Sequence, residues 1–231
     1  MTAIAGRLAS VRARIERACE AVGRDPAEVS LLAVSKRHPV ESVREALAAG
    51  QLLFGENRVQ EFAPKAAALE GSGARWHFIG SVQTNKAAAL CAVPSLEVLH
   101  SVDRGRLVER LAAACTELGR SLRVLLQVNA TGEEQKHGVH PSDALALARE
   151  VVAAGPSLVL DGVMAMGPLE GAPEPVFAEV AKLHAHLRDG LGLQLPTLSL
   201  GMSGDLEAAV AAGSTLLRVG TDVFGERPAA G

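Results

Sequence analysis

The first apolar pattern along the chain has a helical period. Apolar residues recur three or four positions apart, and this spacing places on one face Ile4, Leu8, Val11, Ile15, Ala18 and Val22. Most of the neighbouring arginines lie off that face. Such a pattern is typical of an amphipathic helix that packs on a larger body. We predict that this helix occupies residues 1–23 and ends near Gly23, before Asp25-Pro26.

A regular alternation of short apolar runs and Ala-rich helical runs follows. The apolar runs predict eight strands, at residues 31–35, 52–55, 76–79, 98–101, 124–128, 158–164, 197–200 and 215–219. The helical runs lie at 40–49, 59–69, 106–118, 142–153, 175–188 and 206–212. Glycine ends several of them, as suits the left-handed position that often follows a helix; these glycines are Gly50, Gly71, Gly119, Gly155 and Gly213.

The predicted strands are apolar almost throughout, which indicates a parallel sheet buried on both faces. Eight such units, each followed by a helical run, predict an α/β fold: a (β/α)₈ TIM-type barrel with an extra N-terminal helix, as one domain over residues 1–231. An open doubly wound sheet is the alternative. Its phosphate-binding fingerprint is missing, however, because Gly190-Leu191-Gly192 has no third glycine and follows no strand.

Composition narrows the functional classes. Of 231 residues, 48% are hydrophobic and 21% charged, with a formal net charge of −3, so the chain is not disordered. The slightly negative net charge argues against nucleic acid as a partner. No run approaches the roughly 18 apolar residues of a membrane span. The first residues lack the apolar segment of a secretory signal, and three cysteines far apart suit a reducing compartment. We therefore expect a cytoplasmic protein without membrane contact.

In a barrel of this type the chemistry lies at the carboxyl ends of the strands. Apart from Met166, the residues at those positions in this chain are polar or glycine: Lys36, Glu56, Asn57, Gly80, Ser101, Asn129, Ser199, Ser203, Arg218, Gly220 and Thr221. Lys36 directly follows the first strand. Burial there favours the neutral amine, which is the form that attacks a carbonyl to give a Schiff base. The alternative is a lysine whose stem lies in the barrel and whose amine reaches solvent.

The last two strand ends combine small residues with hydroxyl groups. Ser199 and Ser203 follow the seventh strand, and Gly220 and Thr221 follow the eighth. Many barrels bind phosphate at this place, through backbone N–H groups and hydroxyls. An ordinary turn is the alternative, and we expect Ser203 to cap the following helix in either case.

Other kinds of site fit less well. The segment from Gly201 to Asp205 lacks the second glycine of a GxSxG nucleophile elbow. Two histidine pairs, His137 with His140 and His184 with His186, have no partners at zinc-site spacing, so we expect solvated histidines there. His77 and His100 lie within predicted strands, and we expect them to be core or rim residues with satisfied polar groups.

Several of these segments form one ordered set that resembles a known family. They are Leu32-Ala33-Val34-Ser35-Lys36, Phe54-Gly55-Glu56-Asn57, Trp76-His77-Phe78-Ile79-Gly80 with Gln83-Thr84-Asn85-Lys86, His100-Ser101-Val102-Asp103, Gln127-Val128-Asn129 with Lys136-His137-Gly138, Leu198-Ser199-Leu200-Gly201-Met202-Ser203, and Arg218-Val219-Gly220-Thr221 with Phe224-Gly225-Glu226-Arg227. Together they resemble the pyridoxal phosphate homeostasis protein family, single-domain barrels that bind pyridoxal 5′-phosphate (PLP). The likeness extends from the first helix to the end of the chain.

The resemblance implies a barrel like the N-terminal domain of alanine racemase, with PLP covalently bound to Lys36. It places the phosphate at Ser199, Gly220 and Thr221, with help from Ser203, and puts Asn57 beside the cofactor. Arg218 matches an arginine that faces the pyridine nitrogen. A permanent cation there keeps that nitrogen unprotonated, which weakens PLP as an electron sink.

The function implied is a PLP carrier or regulator of vitamin B6 and amino-acid pools, without turnover. Free PLP and apo-enzymes that use it would be its partners. An amino-acid racemase or decarboxylase on the same barrel is the alternative, and a PLP-free aldolase-like barrel using Lys36 is a third. Racemases of this type take a tyrosine from a second domain; this chain contains no tyrosine, and we expect that domain to be missing. The racemase barrel dimerises partly through that second domain, so we expect this chain to be a monomer.

Three segments depart from the family pattern. Arg58 stands where tyrosine is usual, and Arg37-His38 stands where threonine and lysine are common. Gly167-Pro168 replaces a frequent double proline. These departures affect the expected pocket contacts and the charge of the rim rather than the cofactor.

Overall fold

A computed structural model describes residues 2–133 and 135–226 of the chain. Arg227, the last residue of one family segment, lies outside the described residues. Within them, parallel strands pair in chain order and form a closed barrel, in which the last strand pairs with the first. The strands are β1 (Ser30–Val34), β2 (Leu53–Glu56), β3 (Arg75–Phe78), β4 (Leu96–Val102), β5 (Leu122–Val128), β6 (Leu158–Ala165), β7 (Thr197–Ser199) and β8 (Leu216–Val219). The predicted TIM-type barrel and its eight strands are confirmed.

Helices follow the strands around the barrel. They are α1 (Ala3–Ala21), α2 (Val40–Ala48), α3 (Val59–Ala68), α4 (Ala87–Cys91), α5 (Gly105–Glu117), α6 (Ala144–Ala153), α7 (Glu174–Leu191), α8 (Leu206–Ala211) and α9 (Thr221–Phe224). The six helices predicted between strands are present within a few residues of their expected bounds. The sequence pattern missed α4 and α9, which are five and four residues long. Segments this short contain too few turns to show a helical period.

The N-terminal helix buries the predicted apolar face, with Ile4, Leu8 and Val11 among its buried residues. It packs mainly against α8 and α9, the helices that follow the last two strands. Val22 departs from the prediction: it is the C-cap residue and 44% exposed. The helix ends at Ala21, one residue before Val22, so the helical spacing does not determine where the Val22 side chain points.

Large apolar side chains fill the space between the barrel and its helices. Trp76, Phe54, Phe62 and Phe78 are fully or almost fully buried there, and Phe62 contacts both Trp76 and Phe78. None of the described helices is both long and apolar enough to cross a membrane. The packing of these buried aromatic side chains fixes the strands, and with them the residues at the strand ends.

Candidate functional site

A cavity of about 460 Å³ lies at the carboxyl ends of the strands. Six of the seven predicted site residues line it: Lys36, Asn57, Ser203, Arg218, Gly220 and Thr221. They come from both ends of the sequence, and the pairing of β1 with β8 brings those ends together. The remaining predicted residue, Ser199, is fully buried and is not part of the cavity wall.

Ser199 instead contacts Arg218. The Arg218 Nη1 donates to both the backbone oxygen and the hydroxyl of Ser199, each at 2.7 Å, and its Nη2 donates to the carbonyl of Ala165 at 2.8 Å. These acceptors hold a buried guanidinium at the cavity. Burial lowers the pKa of Arg218 to about 10, so the side chain remains a cation at neutral pH.

The residue before Lys36 is fixed by a buried polar cluster. The Ser35 hydroxyl donates to Glu56 Oε1 at 2.8 Å, and Lys65 Nζ contacts the same oxygen at 2.6 Å and the Ser35 carbonyl at 2.9 Å. Glu56 is fully buried. Burial raises the pKa of Glu56, against the opposing effect of Lys65. The cluster anchors the end of β1, where Lys36 begins the loop.

The turn after Lys36 has an unusual backbone. Arg37 has a φ of +65°, a left-handed conformation that costs energy for a residue with a side chain. Its N–H donates to Glu61 Oε2 at 2.9 Å, and His38 stacks on Phe224 with ring centroids 5.2 Å apart. Neither Arg37 nor His38 lines the cavity. This departure from the family pattern therefore shapes the turn rather than the cavity wall.

Asn57 and Gly80 pass very close to one another at the cavity. A Cβ atom added to Gly80 would lie 2.1 Å from the backbone oxygen of Asn57. The Gly80 carbonyl also accepts a hydrogen bond from the Ser101 hydroxyl at 2.6 Å. Only glycine permits this approach, which brings the loops after β2 and β3 together.

The variant Gly80→Ala is expected to destabilise the protein by about 2 kcal/mol, because a new methyl group meets backbone that cannot move independently. Chemical denaturation without ligand measures the change. Gly204→Ala is the control, since a Cβ there meets nothing within 4 Å. Equal stability of the two variants would contradict the close approach.

The loop between β5 and α6 supplies part of the wall that the sequence analysis missed. Gln135, Lys136 and His137 line the cavity there. Two side chains of this strand and loop fold the loop back: the Gln127 amide donates to the His137 carbonyl at 2.8 Å, and the Asn129 amide donates to the Lys136 carbonyl at 3.0 Å. The sequence contained two signals of this loop, Asn129 at a strand end and the segment Lys136-His137-Gly138. Neither of them indicates that the loop folds toward the cavity.

Lys136 ties this loop to its neighbour. Its Nζ donates to the Gly167 carbonyl at 2.6 Å and forms an ion pair with Glu133. Three of the four methionines, Met164, Met166 and Met202, add flexible apolar surface to the same cavity. The wall therefore combines apolar side chains with a few fixed polar groups, as small-molecule sites usually do.

The expectations for Ser203 and His184 are wrong. Ser203 does not cap α8: the N-cap is Asp205, whose carboxylate accepts from the Met202 N–H at 2.6 Å. His184 is buried rather than solvated, and its Nε2 lies 2.7 Å from the Leu195 carbonyl. In residues 2–133 and 135–226, no group of three potential metal ligands is found.

Two histidines meet inside the barrel. His77 Nδ1 lies 2.9 Å from His100 Nε2, and His100 Nδ1 has no hydrogen-bond partner among the described residues. Burial lowers the pKa of His77 from 6.5 to about 3 and that of His100 well below its ordinary value. Both rings are therefore neutral at physiological pH, and the expectation that their polar groups are satisfied fails at His100 Nδ1.

This pair predicts a loss of stability in acid. The folded protein binds these protons less readily than the unfolded chain, so the free energy of unfolding falls as the pH drops from about 6.5 toward 3. Each histidine contributes up to about 1.4 kcal/mol per pH unit. Urea unfolding at several pH values measures the slope. The double variant His77→Met/His100→Met should show a shallower slope, and an unchanged slope would contradict this account.

A family model and two curated relatives each match nearly the whole chain. Residues 7–228 match the family model for the alanine racemase N-terminal domain. A pyridoxal phosphate homeostasis protein of Pseudomonas aeruginosa is 47% identical, covering 98% of this chain and 97% of the relative. The Escherichia coli K12 protein of the same name is 42% identical, with 98% of each chain covered.

Solved structures agree with this result. PipY of Synechococcus elongatus with PLP bound has a TM-score of 0.82 and 39% identity, covering 96% of this chain and 100% of that one. Alanine racemase of Corynebacterium glutamicum has a TM-score of 0.68 at 19% identity and shares the fold over 62% of its length.

Proposed function

The chain belongs to the pyridoxal phosphate homeostasis protein family, and from this premise we propose that it binds PLP in the cavity at the strand ends and carries it without catalytic turnover. One observation carries the proposal. Lys36, Arg218 and the phosphate-site candidates Ser203, Gly220 and Thr221 line the same cavity.

The chemistry of the wall fits the parts of the cofactor. PLP has a flat aromatic ring, an aldehyde, a pyridine nitrogen and a phosphate that carries negative charge. Met164 and Val34 offer apolar surface for a ring, and Lys36 offers an amine for the aldehyde. Gly220 and Thr221 lie at the start of α9, where the first N–H groups of a helix lack acceptors within the helix. Phosphate is suited to such groups.

Lys36 is the proposed attachment point. Its neutral ε-amine would hold the aldehyde carbon of PLP through a carbon–nitrogen double bond, with one water molecule released. The buried cluster of Ser35, Glu56 and Lys65 keeps the preceding residue in place. The chain thus supplies a nucleophile whose backbone is anchored before the ligand arrives.

Arg218 supports a carrier rather than an enzyme. Its guanidinium is held by the Ser199 and Ala165 carbonyls and stays charged at neutral pH. The family resemblance assigns this cation to the pyridine nitrogen. A cation there opposes protonation of the ring, and bound PLP supplies electron withdrawal most strongly when that nitrogen is protonated. The chain also has no tyrosine to act as a second base.

The experiment that tests the proposal follows PLP in the purified protein. The wild-type protein mixed with PLP should develop the visible absorption band of a Schiff base. Holo-protein should then activate an apo-enzyme that uses PLP, even when a trap removes free PLP from solution. Failure to develop the band would refute attachment through a Schiff base, and activation that the trap abolishes would refute direct delivery.

A second measurement separates the carrier from an enzyme. Holo-protein is incubated with L-amino acids, and the products are resolved by chiral chromatography. A carrier should give no more product than there are binding sites. Formation of D-amino acid or of an amine well beyond that amount would establish the alternative, a racemase or a decarboxylase.

We further propose a cytoplasmic monomer, for which light scattering during size-exclusion chromatography measures the mass.

A further inference from the structure

One arginine of the N-terminal helix joins three segments at the cavity. Arg14 lies on α1, and its Nη1 donates to the Ser203 carbonyl at 2.8 Å and to Asp222 Oδ2 at 3.1 Å. Its Nε and Nη2 contact the two oxygens of Glu207 at 2.5 and 2.6 Å. A bidentate pair of this kind fixes geometry as well as charge.

The three partners come from separate elements. Ser203 lies in the loop after β7 and lines the cavity, and Glu207 is in α8. Asp222 is in α9, next to Thr221, which also lines the cavity. Arg14 thus links the two segments that contribute the phosphate-site candidates. Ordinary packing of α1 would not require contacts with all three.

The charges around Arg14 also support a role for this residue at the phosphate-site candidates. Glu207 and Asp222 pair with Arg14, and Asp205 lies close enough to influence it. The hydrogen bond from Arg14 holds the pKa of Glu207 below its ordinary value. Carboxylates this close to an anion would repel it unless a cation offsets them. Arg14 supplies that positive charge while its side chain remains only 29% exposed.

We propose that Arg14 is a positioning residue for the phosphate group of the ligand. It acts through Ser203 and through the α9 segment, and it makes the cavity select phosphorylated over unphosphorylated pyridoxal compounds. This inference rests on the proposed function, because it concerns the same cavity. It adds a determinant of ligand class that lies outside the cavity wall.

The test compares two ligands that differ only in the phosphate. Binding of PLP and of pyridoxal is measured by absorbance titration for the wild type, Arg14→Ala and the control Arg17→Ala. Arg17 is exposed and lies on the same helix. Arg14→Ala should weaken PLP binding by about tenfold, the loss expected for a charged hydrogen-bond network. It should leave pyridoxal binding within about twofold, and Arg17→Ala should change neither. Inorganic phosphate should compete less well in Arg14→Ala.

Each outcome separates the inference from the proposed function. A wild-type protein that binds no PLP refutes the proposed function itself. A wild type that prefers PLP, combined with an Arg14→Ala variant that keeps the same preference or loses both ligands equally, overturns only the role of Arg14. If the alanine variant does not fold, Arg14→Lys decides the matter. It should lose part of the preference for PLP, about threefold, because it keeps the charge without the planar fork, and an unchanged preference would overturn the inference.

Discussion

The Lys36→Ala variant is expected to show no visible absorption band when PLP is added, whereas the wild type develops one. The band requires a covalent link between an amine and the aldehyde, and we propose Lys36 as that amine. It follows the end of β1 and lines the cavity. Absorbance after removal of free PLP measures the effect, and mass spectrometry after borohydride reduction locates the linkage.

Lys86→Ala is the matched control, because Lys86 is exposed and lies outside the cavity wall. This variant should keep the full band. A band that persists in Lys36→Ala would assign the linkage to another lysine, and Lys136 would be examined next because it lines the same cavity. The cofactor would then lie in the cavity in a different orientation.

The second large effect concerns stability. Lys65→Met is expected to lower the free energy of unfolding by about 3 kcal/mol, because it leaves the fully buried Glu56 without its cation. The loss should be smaller at about pH 5 than at about pH 8. Glu56 without Lys65 takes up a proton more readily in the folded protein than in the unfolded chain, so the penalty grows as the pH rises. Urea denaturation at both pH values measures it.

The double variant Lys65→Met/Glu56→Gln removes the unpaired charge and should recover part of the stability. Lys86→Met again serves as a control, since an exposed lysine has little effect on stability. If Lys65→Met is as stable as the wild type at both pH values, the cluster beneath Lys36 does not depend on this ion pair.

The sequence was sufficient for the fold because the barrel repeats one pattern. Each strand shows as a short apolar run, and the glycines after the helices mark where each unit ends. All eight strands were found in this way. The short helix Ala87–Cys91 was missed because it is a single turn preceded by a 3₁₀ segment, and a segment of that length has no detectable period.

The lining of the cavity was predictable where residues lie directly at strand ends, and the contacts that cross between elements were not predictable. Lys36 and Arg218 follow from their positions on strands. The pairing of Lys65 with Glu56, and of His77 with His100, depends on how neighbouring strands and helices are aligned. A single sequence contains no record of that alignment. The same reason explains Ser203: the cap of α8 depends on how the loop turns, and Asp205 takes that role.

Closure of the barrel by β1 and β8 has a consequence for protein synthesis. Lys36 is made before seven of the eight strands, whereas Gly220 and Thr221 are made only after all of them. The complete cavity therefore cannot form until β8 has been made, and a ligand that contacts the residues after both β1 and β8 binds only after that point.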